Sequence, residues 1–192
     1  MKHLSDPRAK AVLTSAAEKA GWVSRPSPKK SAGAGELLTG RGVGLGVRNG
    51  TYVATIADVE VNRGTGAVRV KRFVCAHDCG LIVNPDGLRG VIAANLIHSM
   101  SRAMKEEVKF DRSQVTSVDW VTYPVVRASD VPEQVDIVLI NHPELPAGGA
   151  GEPSSRPTAG AIANAIFDAS GARVRQAPLT PPRIKAALAS KA

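Results

Sequence analysis

Aromatic side chains make up only 4% of the 192 residues, and cysteine occurs twice. The first shortage means that any core must be built from Val, Ile, Leu and Ala. It also removes the interleaved aromatic and basic residues that a single-strand nucleic-acid platform needs. Two cysteines cannot form a disulfide framework. Long apolar runs are missing as well: none approaches the ~18 residues of a spanning helix. The start, MKHLSDPRAK, carries no apolar leader segment. These absences predict a chain without a membrane span in a reduced, cytoplasmic setting, and export alongside a partner subunit stays compatible with them. Negative charge is scarce too, with 17 Asp and Glu against 25 Lys and Arg, for a net charge of +8. The excess gathers at Lys2, Arg8, Lys10, Lys19, Arg25, Lys29 and Lys30, and at Arg183, Lys185 and Lys191. That pattern reads as a solvated surface or an interface with an acidic subunit, so no nucleic-acid partner is expected.

What is present is rich in turn-formers, with 18 Gly and 13 Pro, while 43% hydrophobic and 22% charged residues are ordinary for a globular chain. Residues 5–20 read as a helix: Ser5 or Asp6 can cap it, Pro7 suits its first turn, and Val12, Leu13 and Ala16 give an apolar face. Residues 24–41, SRPSPKKSAGAGELLTGR, hold no period and read as a linker. Gly42 to Val47 is a Gly-rich extended segment and Thr51 to Val61 a β-branched strand. Asn62 to Gly66 then turns into a returning strand, Ala67 to Ala76. From Pro85 to Glu107, Leu88, Val91, Ile92, Leu96 and Met100 recur at helical spacing. Val115–Val118 and Val135–Ile140 predict further strands. The loop 143–157 leads into a helix from about Thr158 to Ala169, stopped by Gly171, and a short basic extension follows. Strands and helices mix without strict alternation, which predicts an α+β fold: a mixed sheet with packed helices. Residues 1–41 are expected to form an N-terminal helix and flexible linker, and 42–192 the domain itself.

Two stretches invite chemistry. In CAHDC, the spacing of Cys75, His77 and Cys79 suggests a zinc site, but no second pair of Cys or His completes a tetrahedral set. The three would share one face of a strand, so a half-buried strand end with satisfied polar groups is the simpler reading, and no metal ligand is assigned. The second stretch, Gly148, Gly149, Ala150 and Gly151, has almost no side-chain volume before Glu152. Such a loop lets backbone N–H groups approach an oxygen or phosphate. Pro153 is expected to hold Glu152 extended, and the helix that follows favours negative charge nearby. Standing alone, the loop would read more simply as a surface turn with a solvated Glu.

The loop has company. LSDPRAKAVLTSAAEKAGW at 4–22, GRGVGLGVRNGTYVATIADVEVNRGTGAVRVKRFVCAHDCGLIVNPDGLRG at 40–90 and GGAGEPSSRPTAGAIANAIFDASGARVRQAPLT at 148–180 occur in one order. This order resembles the second molybdopterin-binding region in large subunits of the xanthine dehydrogenase/aldehyde oxidase family. Within it, the isoquinoline 1-oxidoreductase and nicotinate dehydrogenase type is nearest. DCGxxxNP, Gly-x-Gly-Glu and ANAIFDAxGxRxR at these separations are jointly specific. The resemblance implies part of a molybdenum hydroxylase, an oxidoreductase that hydroxylates an N-heterocycle or aldehyde at an electron-poor carbon, with water as oxygen source. It implies Glu152 as the catalytic base beside the molybdenum, and Gly149, Ala150 and Gly151 as backbone lining of the cofactor site. Asn95 keeps the nicotinate-type pattern of a cofactor contact. The implied cofactor is molybdenum–molybdopterin in its cytosine dinucleotide form. It would be shared with a chain that supplies the other molybdopterin half, and a two-cluster iron–sulfur subunit would carry the electrons away.

The departures are specific. Where the family usually has Gln-x-Glu-Gly-Gly or Gln-x-Glu-Gly-Asn, this chain has Val91, Ile92, Ala93, Ala94 and Asn95. Val91 replaces a Gln that hydrogen-bonds the cofactor, a loss of roughly 1–3 kcal/mol in a buried polar site. The family's other cofactor-binding half is not among these 192 residues. The alternative expectation is therefore a truncated, inactive remnant with an assembly or structural role.

Overall fold

The structure, a computed structural model, describes residues 3–29 and 35–190. Helix α1 (Pro7–Ala20) begins where the Asp6 carboxylate accepts the N–H groups of Arg8 and Ala9, at 2.9 and 3.0 Å. These are donors that the first turn of a helix leaves free. Gly21 ends it in the left-handed region, φ 61.

The sheet is built from β1 (Leu37–Arg48), β2 (Thr51–Asn62), β3 (Val68–Asp78) and β4 (Gln134–Ile140), in that spatial order. The first two pairings are antiparallel and β3–β4 is parallel, so the sheet is mixed, as the α+β reading requires. Helix α2 (Pro85–Met104) links β3 towards β4, and α3 (Thr158–Ser170) and α4 (Pro181–Ala189) follow. One core packs Phe73, Val53 and Val61 against Ile92, Leu96, Ile162, Ile166 and Ile184 of the three later helices. The opposite face packs Ile56, Val74 and Ala76 against Val12 and Ala16 of α1. A bulge at Lys71 keeps this division consistent: Arg72 pairs with Asp58, whereas Val70 pairs with Val59. The extra residue turns Val70 to the same face as Phe73 and Cys75.

The predicted linker is shorter than its composition suggested, because residues 37–41 already belong to β1; residues 30–34 lie outside the described residues. The glycines there serve packing. A Cβ on Gly40, Gly42 or Gly44 would sit 2.2 Å from the Ala165 carbonyl, the Ala165 nitrogen or the Pro157 carbonyl, respectively. The backbone of α3 therefore lies directly on that of β1, which only glycine allows. Side chains also cover the outer edge of β1. Asp168 accepts the Arg41 N–H at 3.0 Å, while Lys29 and Asn164 donate to the carbonyls of Thr39 and Val43 at 2.9 and 3.0 Å. These contacts block further strand pairing there.

Two expectations fail locally. Val115–Val118 is not a strand: Val115 makes one isolated bridge with Phe110, and the segment pairs with none of the four strands of the sheet. The basic extension contains α4, because Pro181 and Pro182 occupy its opening turn, where prolines start a helix, and Ile184 anchors it in the core. No helix among the described residues is long and apolar enough to cross a membrane.

Gly42→Ala should cost about 3 kcal/mol in urea denaturation, because neither backbone can retreat. Gly90→Ala on α2, where a Cβ would meet nothing within 4 Å, should instead gain about 0.5–1 kcal/mol. Equal effects of the two substitutions would contradict the close approach of α3 to β1.

Candidate active site

The end of β3 is the fixed point of the site. Asp78 is fully buried, and Arg8 of α1 grips its carboxylate, with Nε 2.8 Å from Oδ2 and Nη2 2.5 Å from Oδ1. The Gly80 N–H donates to Oδ1 at 3.0 Å, and His142 Nε2 lies 3.3 Å from Oδ2. The Arg8 guanidinium also lies 4.5 Å over the Tyr52 ring. Burial pushes the Asp78 pKa up, but the hydrogen bonds from Arg8 and Gly80 and the Arg8 charge outweigh it, so the group sits below its ordinary 3.8.

The residues that follow hold a second loop. Gly80 adopts φ +77, and its bare Cα faces Pro146, whose carbonyl a Cβ would meet at 2.2 Å. The Gly80 carbonyl accepts the His142 N–H at 3.1 Å, and the Cys79 carbonyl accepts the Gly148 N–H at 2.6 Å. The NP of DCGxxxNP then opens α2, with Asn84 capping the Gly87 N–H at 2.9 Å and Pro85 in the first turn. The motif is thus the brace for the glycine loop.

Within that loop the chain itself takes the carbonyls of Gly149 and Gly151. Thr51 Oγ1 donates to Gly149 O and Asn95 Nδ2 to Gly151 O, both at 2.8 Å. Ser99 Oγ donates to Ser155 O at 3.0 Å. The N–H groups of Gly149, Ala150, Gly151 and Glu152 make no hydrogen bond to any described residue. A Cβ on Gly148 would press on Thr51 and Cys79, whereas at Gly149 or Gly151 it would meet nothing within 4 Å. Packing inside this chain explains the first glycine and not the other two. Beside them runs a groove of about 250 Å³ lined by Leu81, Val83, Val91, Ala150 and Gly151, among others.

Glu152 closes the loop as an exposed side chain. It is not extended as Pro153 suggested: its φ is −129 and its ψ −19, and it opens a 3-10 turn, Pro153–Ser155. Its carbonyl accepts the N–H and Oγ of Ser155, at 2.9 and 2.7 Å, and these bonds set that conformation. The turn also separates Glu152 from the start of α3 at Thr158. The fold thus brings Glu152, Gly149, Ala150, Gly151 and Asn95 into one place, with Val91 in the adjoining groove. Sequence reasoning missed Thr51 and Ser99, which no motif marks; only their neighbours in space give them a role.

Cys75, His77 and Cys79 do share a face, but all are buried rather than half-buried. Burial pushes the Cys75 thiol up to about 12 and the His77 imidazole down to about 4. Neither His77 nitrogen has a hydrogen-bond partner among the described residues, so the expected satisfied polar groups are absent at this position. Among the described residues no group of three or more His, Cys, Asp or Glu could hold a metal ion. A larger concavity of about 700 Å³ runs along β1 and α3, away from the glycine loop. Its charges largely neutralise one another, as in Arg25–Asp168 at 2.6 Å and Arg41–Asp58 at 2.5 Å.

The chain is similar to known proteins over most of its length. Residues 39–132 match a family model described as a molybdopterin cofactor-binding domain. A nicotinate dehydrogenase subunit from Pseudomonas putida is 42% identical over 98% of this chain and 16% of its own length. The beta subunit of isoquinoline 1-oxidoreductase from Brevundimonas diminuta is 29% identical over 94% of this chain and 22% of its own. Among solved structures, quinoline 2-oxidoreductase from Pseudomonas putida 86 superposes with a TM-score of 0.67 at 26% identity. That match covers 72% of this chain and 19% of the solved one. The chain therefore spans less than a quarter of each of these proteins.

Arg8→Ala should cost about 3–5 kcal/mol at neutral pH, because it leaves the Asp78 charge buried without its partner. The folded pKa of Asp78 is depressed, so this stabilisation is full above 3.8 and is lost as pH falls through the lower folded value. The gap between wild type and variant in chemical denaturation should narrow at pH 2. A constant gap would mean that the pair is not what Arg8 contributes.

Proposed function

This chain belongs to the molybdenum hydroxylase family, as a portion of its cofactor-binding subunit, and from that premise we propose that it forms one wall of a hydroxylase active site with Glu152 as general base. The observation that carries the reading is the run of N–H groups from Gly149 to Glu152 without partners among the described residues, beside two glycines where a Cβ would meet nothing within 4 Å. These are the donors and the clearance that an oxygen-rich cofactor needs, so the residues present fit molybdopterin. When bound, that cofactor supplies the redox chemistry and an activated oxygen from water.

The chain's own residues do the rest. Thr51 and Asn95 pin the loop by its carbonyls, which leaves its N–H groups turned towards a ligand. Gly149 and Gly151 keep that side clear, and Glu152 accepts the proton released as the new carbon–oxygen bond forms. The Glu152 side chain is exposed here. A second wall, from the other molybdopterin half, would shut out water and leave the carboxylate facing substrate. The substrate class is an N-heterocycle or an aldehyde, acted on at an electron-poor carbon. The cytosine dinucleotide form of the cofactor and a two-cluster iron–sulfur partner complete the proposal.

In an assembled enzyme, Glu152→Gln should lower kcat by about 10²–10⁴-fold or more while molybdenum and pterin contents stay unchanged. Retained turnover would remove Glu152 from the role. Val91→Gln should raise pterin retention, by roughly 5- to 150-fold in affinity if a hydrogen bond of about 1–3 kcal/mol is restored. No gain would mean that the groove wall at Val91 does not touch the cofactor.

A further inference from the structure

We propose that His77 is the seat of the Glu152 loop, a positioning residue whose protonation lifts that loop from the sheet before the fold as a whole gives way. The imidazole is fully buried, and neither of its nitrogens has a partner among the described residues. Strand alternation places it between Cys75 and Cys79 on the face of β3 that the loop covers. At one end, the Cys75 thiol faces the hydroxyls of Thr55 and Ser154. At the other, the Cys79 carbonyl holds the Gly148 N–H at 2.6 Å. The segment from Gly148 to Ser154 thus has one end at Cys79 and the other beside Cys75, the residues that flank His77, and Ala150 in its middle packs on the core cluster that holds both cysteines.

This seat suits a neutral ring and no other. Its partners across the sheet are Val53 on β2 and Leu139 on β4. The buried residues of α2 include no titratable group. On β3 and just past its end, Cys75 and Cys79 are neutral thiols, and Asp78 points to the other face, where Arg8 holds it. The loop's one charge, Glu152, is exposed. An imidazolium would thus gain a full charge and a second N–H with nothing to receive either. Burial accordingly holds the pKa at about 4, with the Asp78 charge opposing it only in part. A ring released to water regains about 6.5. The sign follows: between these values the lifted state takes up a proton that the seated state refuses, so lifting becomes easier as pH falls. From pH 7.5 to 5 the lifted fraction should rise about thirtyfold.

The consequence for catalysis rests on the reading of Glu152 as base, but the seat is tested on the full chain alone, by amide hydrogen exchange corrected for intrinsic rates. The Gly148 amide should lose about thirtyfold in protection between pH 7.5 and 5, while amides of the β2–β3 ladder keep theirs. His77→Leu should make Gly148 insensitive to pH over that range. Glu152→Gln should leave the response intact, so that failure of the seat and failure of the base are read separately. If the leucine variant does not fold, the His77 ring proton and the Gly148 amide in wild type should titrate with one midpoint by NMR. Separate midpoints, loss of ladder and loop protection together, or a pH response surviving in His77→Leu would each overturn the proposal.

Discussion

The site depends on one buried ion pair. Asp78 ends the third strand with its carboxylate out of water, and Arg8 holds both oxygens from a helix on the far face of the sheet. With that pair in place, Cys79 and Gly80 leave the strand in a fixed direction, and their carbonyls receive the N–H groups of Gly148 and His142. The loop that ends at Glu152 is therefore braced by a contact more than 60 residues away in sequence, which itself is braced by one 70 residues away in the other direction. A charge pair this well buried gives little net stability, but removing either member is costly. Its value here is geometric: it fixes where two loops meet.

Glycine plays two opposed parts. Gly40, Gly42, Gly44 and Gly148 are empty because another part of the same chain occupies the space where a side chain would stand. Gly149 and Gly151 are empty where no described residue would come within 4 Å of a side chain's first carbon. Only the second kind leaves room for a ligand, and only coordinates separate the two. The absence of N–H partners along the same residues adds an independent sign. Steric clearance and free donors then coincide on the stretch that leads to the carboxylate.

Much of the framework was legible. The cap at Asp6, the β-branched run from Thr51 and the turn after Asn62 gave their elements within a residue or two, because each has a strong local cause. The Asn49–Gly50 turn, with φ 48 and 77, carries an equally local signal for the hairpin between β1 and β2. The failures mostly have causes far away in sequence. Leu37 to Arg41 reads as linker because Gly40 answers to a helix more than 100 residues later. Val115–Val118 has strand composition without a strand to pair with, and α4 hides behind two prolines that start it rather than stop it.

The chain's own order of residues determined which groups are available for chemistry: a carboxylate after a nearly bare loop, an Asn four residues after Val91, and motifs that identify the family. These are properties of spacing, and spacing survives without coordinates. Tertiary structure alone decided how they are presented. It placed Asn95 and Thr51 on the loop's carbonyls, gave Glu152 a 3-10 turn in place of an extended backbone, and buried His77 without hydrogen-bond partners among the described residues. The reason is physical: hydrogen-bond partners and burial are set by segments that meet only after the sheet has formed, and no local pattern encodes that meeting.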